Sequence, residues 1–146
     1  MGFVHLIAGR PCFACAALVL LLTCGLAVAA DQFPFDREMV LDAAPMRPAK
    51  RVPLLTVASN GEATIDLWCK TVTARVELTD DAITIEPGPL PEALPEMMGK
   101  DQCTAQRLRA DEDLLAAITQ VTAWRMEGSS LMLVGPKTLK FRASDH

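Results

Sequence analysis

The chain has 146 residues with 14 basic and 18 acidic side chains. All of the acidic ones and all basic ones but Arg10 follow residue 30, and such an acidic remainder gives no electrostatic footing for nucleic acid or an anionic membrane surface. The two histidines are His5 and His146, at the extremes of the chain, which excludes a Ser-His-Asp or Cys-His arrangement and a histidine zinc ligand set within a fold.

Residues 1–30 read as a secretory signal: Arg10 precedes an apolar run from Cys12 to Leu26, and Ala27-Val28-Ala29-Ala30 offers a small-residue cleavage site. Two other readings stay open. One is an uncleaved anchor, because the run approaches the roughly 20 apolar residues of a membrane span. The other is lipid attachment at Cys24, where Leu21-Leu22-Thr23-Cys24 is similar to a lipoprotein box. The favoured reading is cleavage, giving a periplasmic or secreted protein with no membrane span after processing. The rest, residues 31–146, suffices for one core and leaves little room for two.

Residues 31–61 hold a lead-in segment with Pro34, Pro45 and Pro48, in which Met39-Val40-Leu41 is the one short strand, followed by a weaker strand candidate from Pro53 to Val57. Strand periodicity then becomes clear. Ala63, Ile65, Leu67 and Cys69 alternate with mostly polar positions on one strand, and Val72, Ala74, Val76 and Leu78 do so on the next. One buried and one wet face is the antiparallel pattern. Thr79-Asp80-Asp81 supplies turn chemistry leading into Ile83 and Ile85, so a hairpin is expected there. Four prolines and two glycines between residues 87 and 103 argue for a loop, which ends at Cys103.

An amphipathic helix is expected from Asp111 to Val121, with Leu114, Leu115, Ile118 and Val121 on one stripe and Asp111 as N-cap. The acidic run Asp111-Glu112-Asp113 is then explained by helix-start preference rather than by a metal or acid/base role. Three short strands follow, Ala123 to Glu127, Leu131 to Val134 and Thr138 to Arg142, joined by Gly-containing turns into a terminal meander. The expected class is mainly β (α+β), a small antiparallel β-barrel-like meander with one amphipathic helix packed on it.

Cys12, Cys15 and Cys24 leave with the signal, so Cys69 and Cys103 are the only cysteines of the processed chain. An even pair in an oxidising compartment predicts a disulfide worth roughly 3 to 4 kcal/mol in the chain-entropy model; two buried thiols are the alternative.

The order of a strand ending in cysteine, a hairpin, a second cysteine, a helix and a Gly-turned meander resembles the META domain family, also called HslJ-like. Residues 121–141 carry the likeness best, through Val121-Thr122-Ala123-Trp124-Arg125, Glu127-Gly128-Ser129-Ser130-Leu131-Met132-Leu133 and Leu139-Lys140-Phe141. Cys69 stands where that family often has Gly-Cys-Asn, with Trp68 and Lys70 in place of the glycine and the asparagine. The resemblance spans about residues 62–142, within a core unit of residues 62–146, and the family's opening Gly-x-Trp-x-Leu strand has no clear counterpart near Glu38 to Asp42. It implies a compact barrel-like sheet with a packed helix in a bacterial envelope protein, and it implies no catalytic residues.

Candidate sites are correspondingly few. No P-loop or dinucleotide fingerprint occurs, and no cofactor, metal or catalytic residue is expected. Asp80 and Asp81 belong to a turn. Met97 and Met98 could hold a soft metal or simply cover apolar surface. The basic groups Arg47, Lys50, Arg51 and Arg107, Arg109 read as solvated surface, with an acidic partner or lipid headgroup as the alternative. Trp68 points opposite Leu67 and Cys69 in strand alternation, so with Lys70 it is the expected contact surface, unless it packs under the lead-in segment. The functional expectation is a non-enzymatic envelope module that binds a protein partner or serves as a structural or stress-related accessory; the alternative is a small barrel holding an apolar or lipid-like ligand.

Overall fold

The computed structural model describes residues 32–47, 50–92 and 103–144. The expected signal segment and the Met97-Met98 pair lie outside the described residues. The strands are β1 (Glu38–Leu41), β2 (Leu54–Val57), β3 (Glu62–Asp66), β4 (Thr71–Leu78), β5 (Ile83–Pro87), β6 (Ala123–Glu127), β7 (Ser130–Val134) and β8 (Leu139–Ala143), with helix α1 (Ala105–Thr119) between β5 and β6. No helix among the described residues is long and apolar enough to cross a membrane.

The strands form one antiparallel sheet in the order β5-β4-β3-β2-β1-β8-β7-β6. Its two edges meet. Ala82 bridges to Ala123, the Ile83 N–H donates to the Thr122 carbonyl at 3.1 Å, and the Trp124 N–H donates to the Asp81 carbonyl at 3.0 Å. The sheet is therefore a nearly closed barrel, which removes most of the unpaired edge that an open sheet would expose. The short strand expected in the lead-in segment is β1, and it sits in mid-sheet between β2 and β8.

Alternation places the core as expected. Leu55, Ile65, Ile83, Leu131, Leu133 and Phe141 are each 2% exposed or less, while Thr64, Thr73, Lys140 and Arg142 face outward. Burying side chains of this size contributes about 1.5 to 3 kcal/mol each. The inward residues of all eight strands join Leu114, Ala117 and Ile118 of α1 in one apolar cluster. Gly61, in the β2–β3 turn, has φ +85°, and a Cβ there would lie 2.8 Å from the Val76 carbonyl oxygen, so that turn requires glycine.

The helix differs from expectation. It begins at Ala105, not Asp111, and Thr104 is its N-cap, with a side-chain oxygen that accepts the Arg107 N–H at 3.3 Å. Ala105-Gln106-Arg107-Leu108-Arg109-Ala110 consists of good helix formers. Nothing in it stops the helix short of the Thr104 cap.

Candidate functional site

The β3–β4 hairpin is closed by the Leu67 N–H donating to the Lys70 carbonyl at 2.7 Å, which leaves Trp68 and Cys69 at its tip. Hairpin tips are ordinarily Gly, Asn or Asp facing water. Here both tip residues are buried, Trp68 at 5% and Cys69 at 6% exposure. The expectation that Trp68 projects outward is thus corrected: strand geometry ends at Asp66, the alternation stops with it, and the turn folds the indole into the core cluster.

A buried turn must satisfy its backbone polar groups without water. Two side chains one turn apart on α1 do this. The Asp111 carboxylate accepts the Cys69 N–H at 3.1 Å through Oδ1 and the Lys70 N–H at 3.0 Å through Oδ2, and it also accepts from the Trp68 N–H. The Arg107 guanidinium donates to the Trp68 carbonyl. Asp111 is 0% and Arg107 2% exposed, so Asp111 is not a helix cap and Arg107 is not solvated surface. Burial pushes the Asp111 carboxyl up, against the opposing pull of those three N–H groups and the Lys70 charge. The Arg107 Nε has no hydrogen-bond partner.

Cys69 and Cys103 meet at this seam. Both are buried thiols in the structure, and the Cys69 side chain is hydrogen-bonded to Cys103. Burial first, then that hydrogen bond and the charges of Cys103 and Asp111, push the Cys69 thiol up to about 12, with Arg107 pulling the other way. Lys70 is half-buried beside Asp111 rather than displayed on the surface.

Next to the seam is a surface pocket of about 390 Å³. Trp68, Leu114, Met46 and Leu139 give it an apolar lining; Lys137, Lys140 and Asp113 stand at its polar side. Asp42, another lining residue, is held by Arg142 at 3.2 Å. A second depression, about 640 Å³, lies against β2 to β5 and is of another character. Thr56, Thr64 and Thr73 form a row across three adjacent strands, flanked by Glu62, Arg75 and Glu86.

The remaining candidates fall elsewhere. Asp80 and Asp81 are exposed in the β4–β5 turn, and Arg47, Lys50 and Arg51 are exposed, with Arg51 paired to Asp66 at 3.0 Å. Sequence reasoning missed the Arg107–Asp111 clamp. A signal for it existed: residues 107, 111, 114 and 118 recur at helical spacing, so the buried stripe of Leu114 and Ile118 runs back through both charges.

No family model and no curated protein matches the chain. Among solved structures, the fold is similar to the NMR structure of a protein from Burkholderia xenovorans, with a TM-score of 0.55 and 21% identity over 77% of this chain and 84% of that one.

Proposed function

We propose that this chain is a non-enzymatic binding module of the META/HslJ-like type, exported to the bacterial envelope, and that its ligand is apolar or lipid-like. The observation that carries this reading is the pocket beside the hairpin tip, whose apolar lining includes one of the chain's two tryptophans and whose rim carries Lys137 and Lys140. Small-molecule sites are commonly about 300 to 1,000 Å³, mostly apolar, with a few polar groups that orient the ligand. The depression against β2 to β5 is large enough, but its lining of threonines, alanines and the charged Glu62, Arg75 and Glu86 contains no large apolar side chain. Support for a non-catalytic role comes from the seam itself: the Asp111 carboxylate is already committed to backbone N–H groups, and the Cys69 thiol stays protonated at neutral pH.

The test uses Trp68 as reporter. In a Trp124→Phe background, where Trp68 is the only tryptophan, titration with dodecanoate should change its fluorescence saturably, and Leu114→Gln should weaken that response. A protein whose Trp68 emission is unaffected by dodecanoate at concentrations below micelle formation overturns the lipid-like reading, and retention of a protein partner by the same variant would favour the accessory reading instead.

A further inference from the structure

We infer that Cys69 and Cys103 are a disulfide-forming pair whose oxidation ties the start of α1 to the β3–β4 hairpin tip and thereby fixes two walls of the Trp68 pocket relative to each other. The geometry places every part of this device in contact. Cys69 follows Trp68, a lining residue of the pocket; Cys103 immediately precedes the Thr104 cap of α1, and α1 contributes Ala110, Asp113 and Leu114 to the same pocket. The two thiols are already hydrogen-bonded, so the cross-link joins groups that the fold holds side by side.

In the dithiol state the two walls are held together by polar contacts: the Asp111 carboxylate on the Cys69 and Lys70 N–H groups and the Arg107 guanidinium on the Trp68 carbonyl. Those contacts fix the tip only while α1 is docked. A covalent bond between residues 69 and 103 persists through local opening and lowers the entropy of the open state. Arg107 and Asp111 are positioning residues in this device, since they set the tip on the helix and hold Cys69 where Cys103 can reach it.

The chemistry needs an oxidant of the disulfide class. The Cys103 thiolate attacks a low-molecular-weight disulfide such as oxidised glutathione, forming a mixed disulfide and expelling one glutathione thiolate. The Cys69 sulfur then attacks the Cys103 sulfur of that mixed disulfide, its proton passing to the departing sulfur, so that the second glutathione leaves as a thiol. Two protein S–H bonds are lost, one S–S bond forms, and one glutathione disulfide is reduced to two thiols.

The inference rests on the proposed binding function only for its effect on ligand; the locking is read without one. The processed chain is reduced with dithiothreitol, freed of reductant, and incubated with or without oxidised glutathione. Non-reducing peptide mapping should yield a single Cys69–Cys103 cross-link, and the thermal midpoint should rise by on the order of 10 °C. In the Trp124→Phe variant, acrylamide quenching of Trp68 should fall on oxidation. Mapping and melting of the unsubstituted chain keep the test standing if that variant folds poorly. Absence of the cross-link overturns the inference, as does a cross-link that leaves both the midpoint and Trp68 quenching unchanged. If oxidation protects Trp68 but dodecanoate binds in neither redox state, the locking holds and the lipid-like function fails.

Discussion

The barrel wall and the seam where α1 meets the hairpin tip are both buried, yet they are assembled by opposite means. The wall is periodic: inward positions of the strands are apolar and outward ones polar, so its stability is spread over many side chains of similar worth. The seam concentrates its interactions in Arg107, Asp111, Cys69 and Cys103, buried positions that carry charges or thiols where the wall carries hydrocarbon. In the wall, backbone N–H groups are satisfied by neighbouring strands; at the seam they are satisfied by a carboxylate from a helix some forty residues away. Stability in the wall should therefore be graded, and stability at the seam all but indivisible.

The largest expected effect separates the two charges of the clamp. Asp111→Ala leaves the Cys69 and Lys70 N–H groups buried without an acceptor, at about 2 to 4 kcal/mol in total. Arg107→Met should cost much less, about 1 kcal/mol or under, because the loss of its bond to the Trp68 carbonyl is offset by removing a buried cation whose Nε is unpartnered. Urea denaturation of both variants, with Glu112→Ala as the exposed reference on the same helix, measures the difference. Equal costs for Asp111→Ala and Arg107→Met would mean that the carboxylate is not the anchor of the tip.

The same contrast explains what could be read from the chain. β4, expected over Thr71 to Leu78, and β6, expected over Ala123 to Glu127, occur at those bounds because alternation is a local property of eight or five residues. Alternation extrapolated past Asp66 turns Trp68 outward because it presumes that the strand continues, whereas the hairpin turns there and Trp68 is buried near Leu41, Ala43 and Met46 of the lead-in segment. Asp111 fits a helix cap by residue type, and only the tertiary contact with Cys69 and Lys70 makes it a core residue. The clamp partners come from separate segments, so neither side alone shows that the other needs it.

A second way to sharpen the comparison is alkaline titration of the dithiol protein. The Cys69 thiol is pushed from an ordinary 9.0 up to about 12 in the folded state. Below pH 9 the thiol is protonated in both states and the favourable burial is fully present; above it the unfolded chain ionises while the folded chain resists, so stability falls as pH rises toward 12. The chain has no tyrosine to titrate in this range. Urea midpoints of the reduced protein at about pH 8 and pH 10.5 should differ more than those of Cys69→Ala. A parallel decline in the two proteins would show that the thiol is not what responds.

The smallest effect belongs to the charges on the outside of the wall. Arg142 on β8 meets Asp42, just beyond β1, at 3.2 Å, but their side chains are 58% and 42% exposed. Water solvates both partners, salt screens them, and two flexible side chains must be ordered to make the contact. A double-mutant cycle with Arg142→Ala and Asp42→Ala should therefore return a coupling of less than about 1 kcal/mol, declining further in high salt. That result would place an exposed outer ion pair well below the single buried carboxylate of Asp111, although both bring an acidic oxygen to a nitrogen at about the same distance. The deciding variable is where the competing water is. Outside the barrel each broken contact is replaced by solvent, whereas at the hairpin tip the Cys69 and Lys70 N–H groups have no replacement while α1 stays docked. A coupling for Arg142 and Asp42 as large as the loss in Asp111→Ala would remove that distinction and with it the case for treating the seam as a separate stabilising unit.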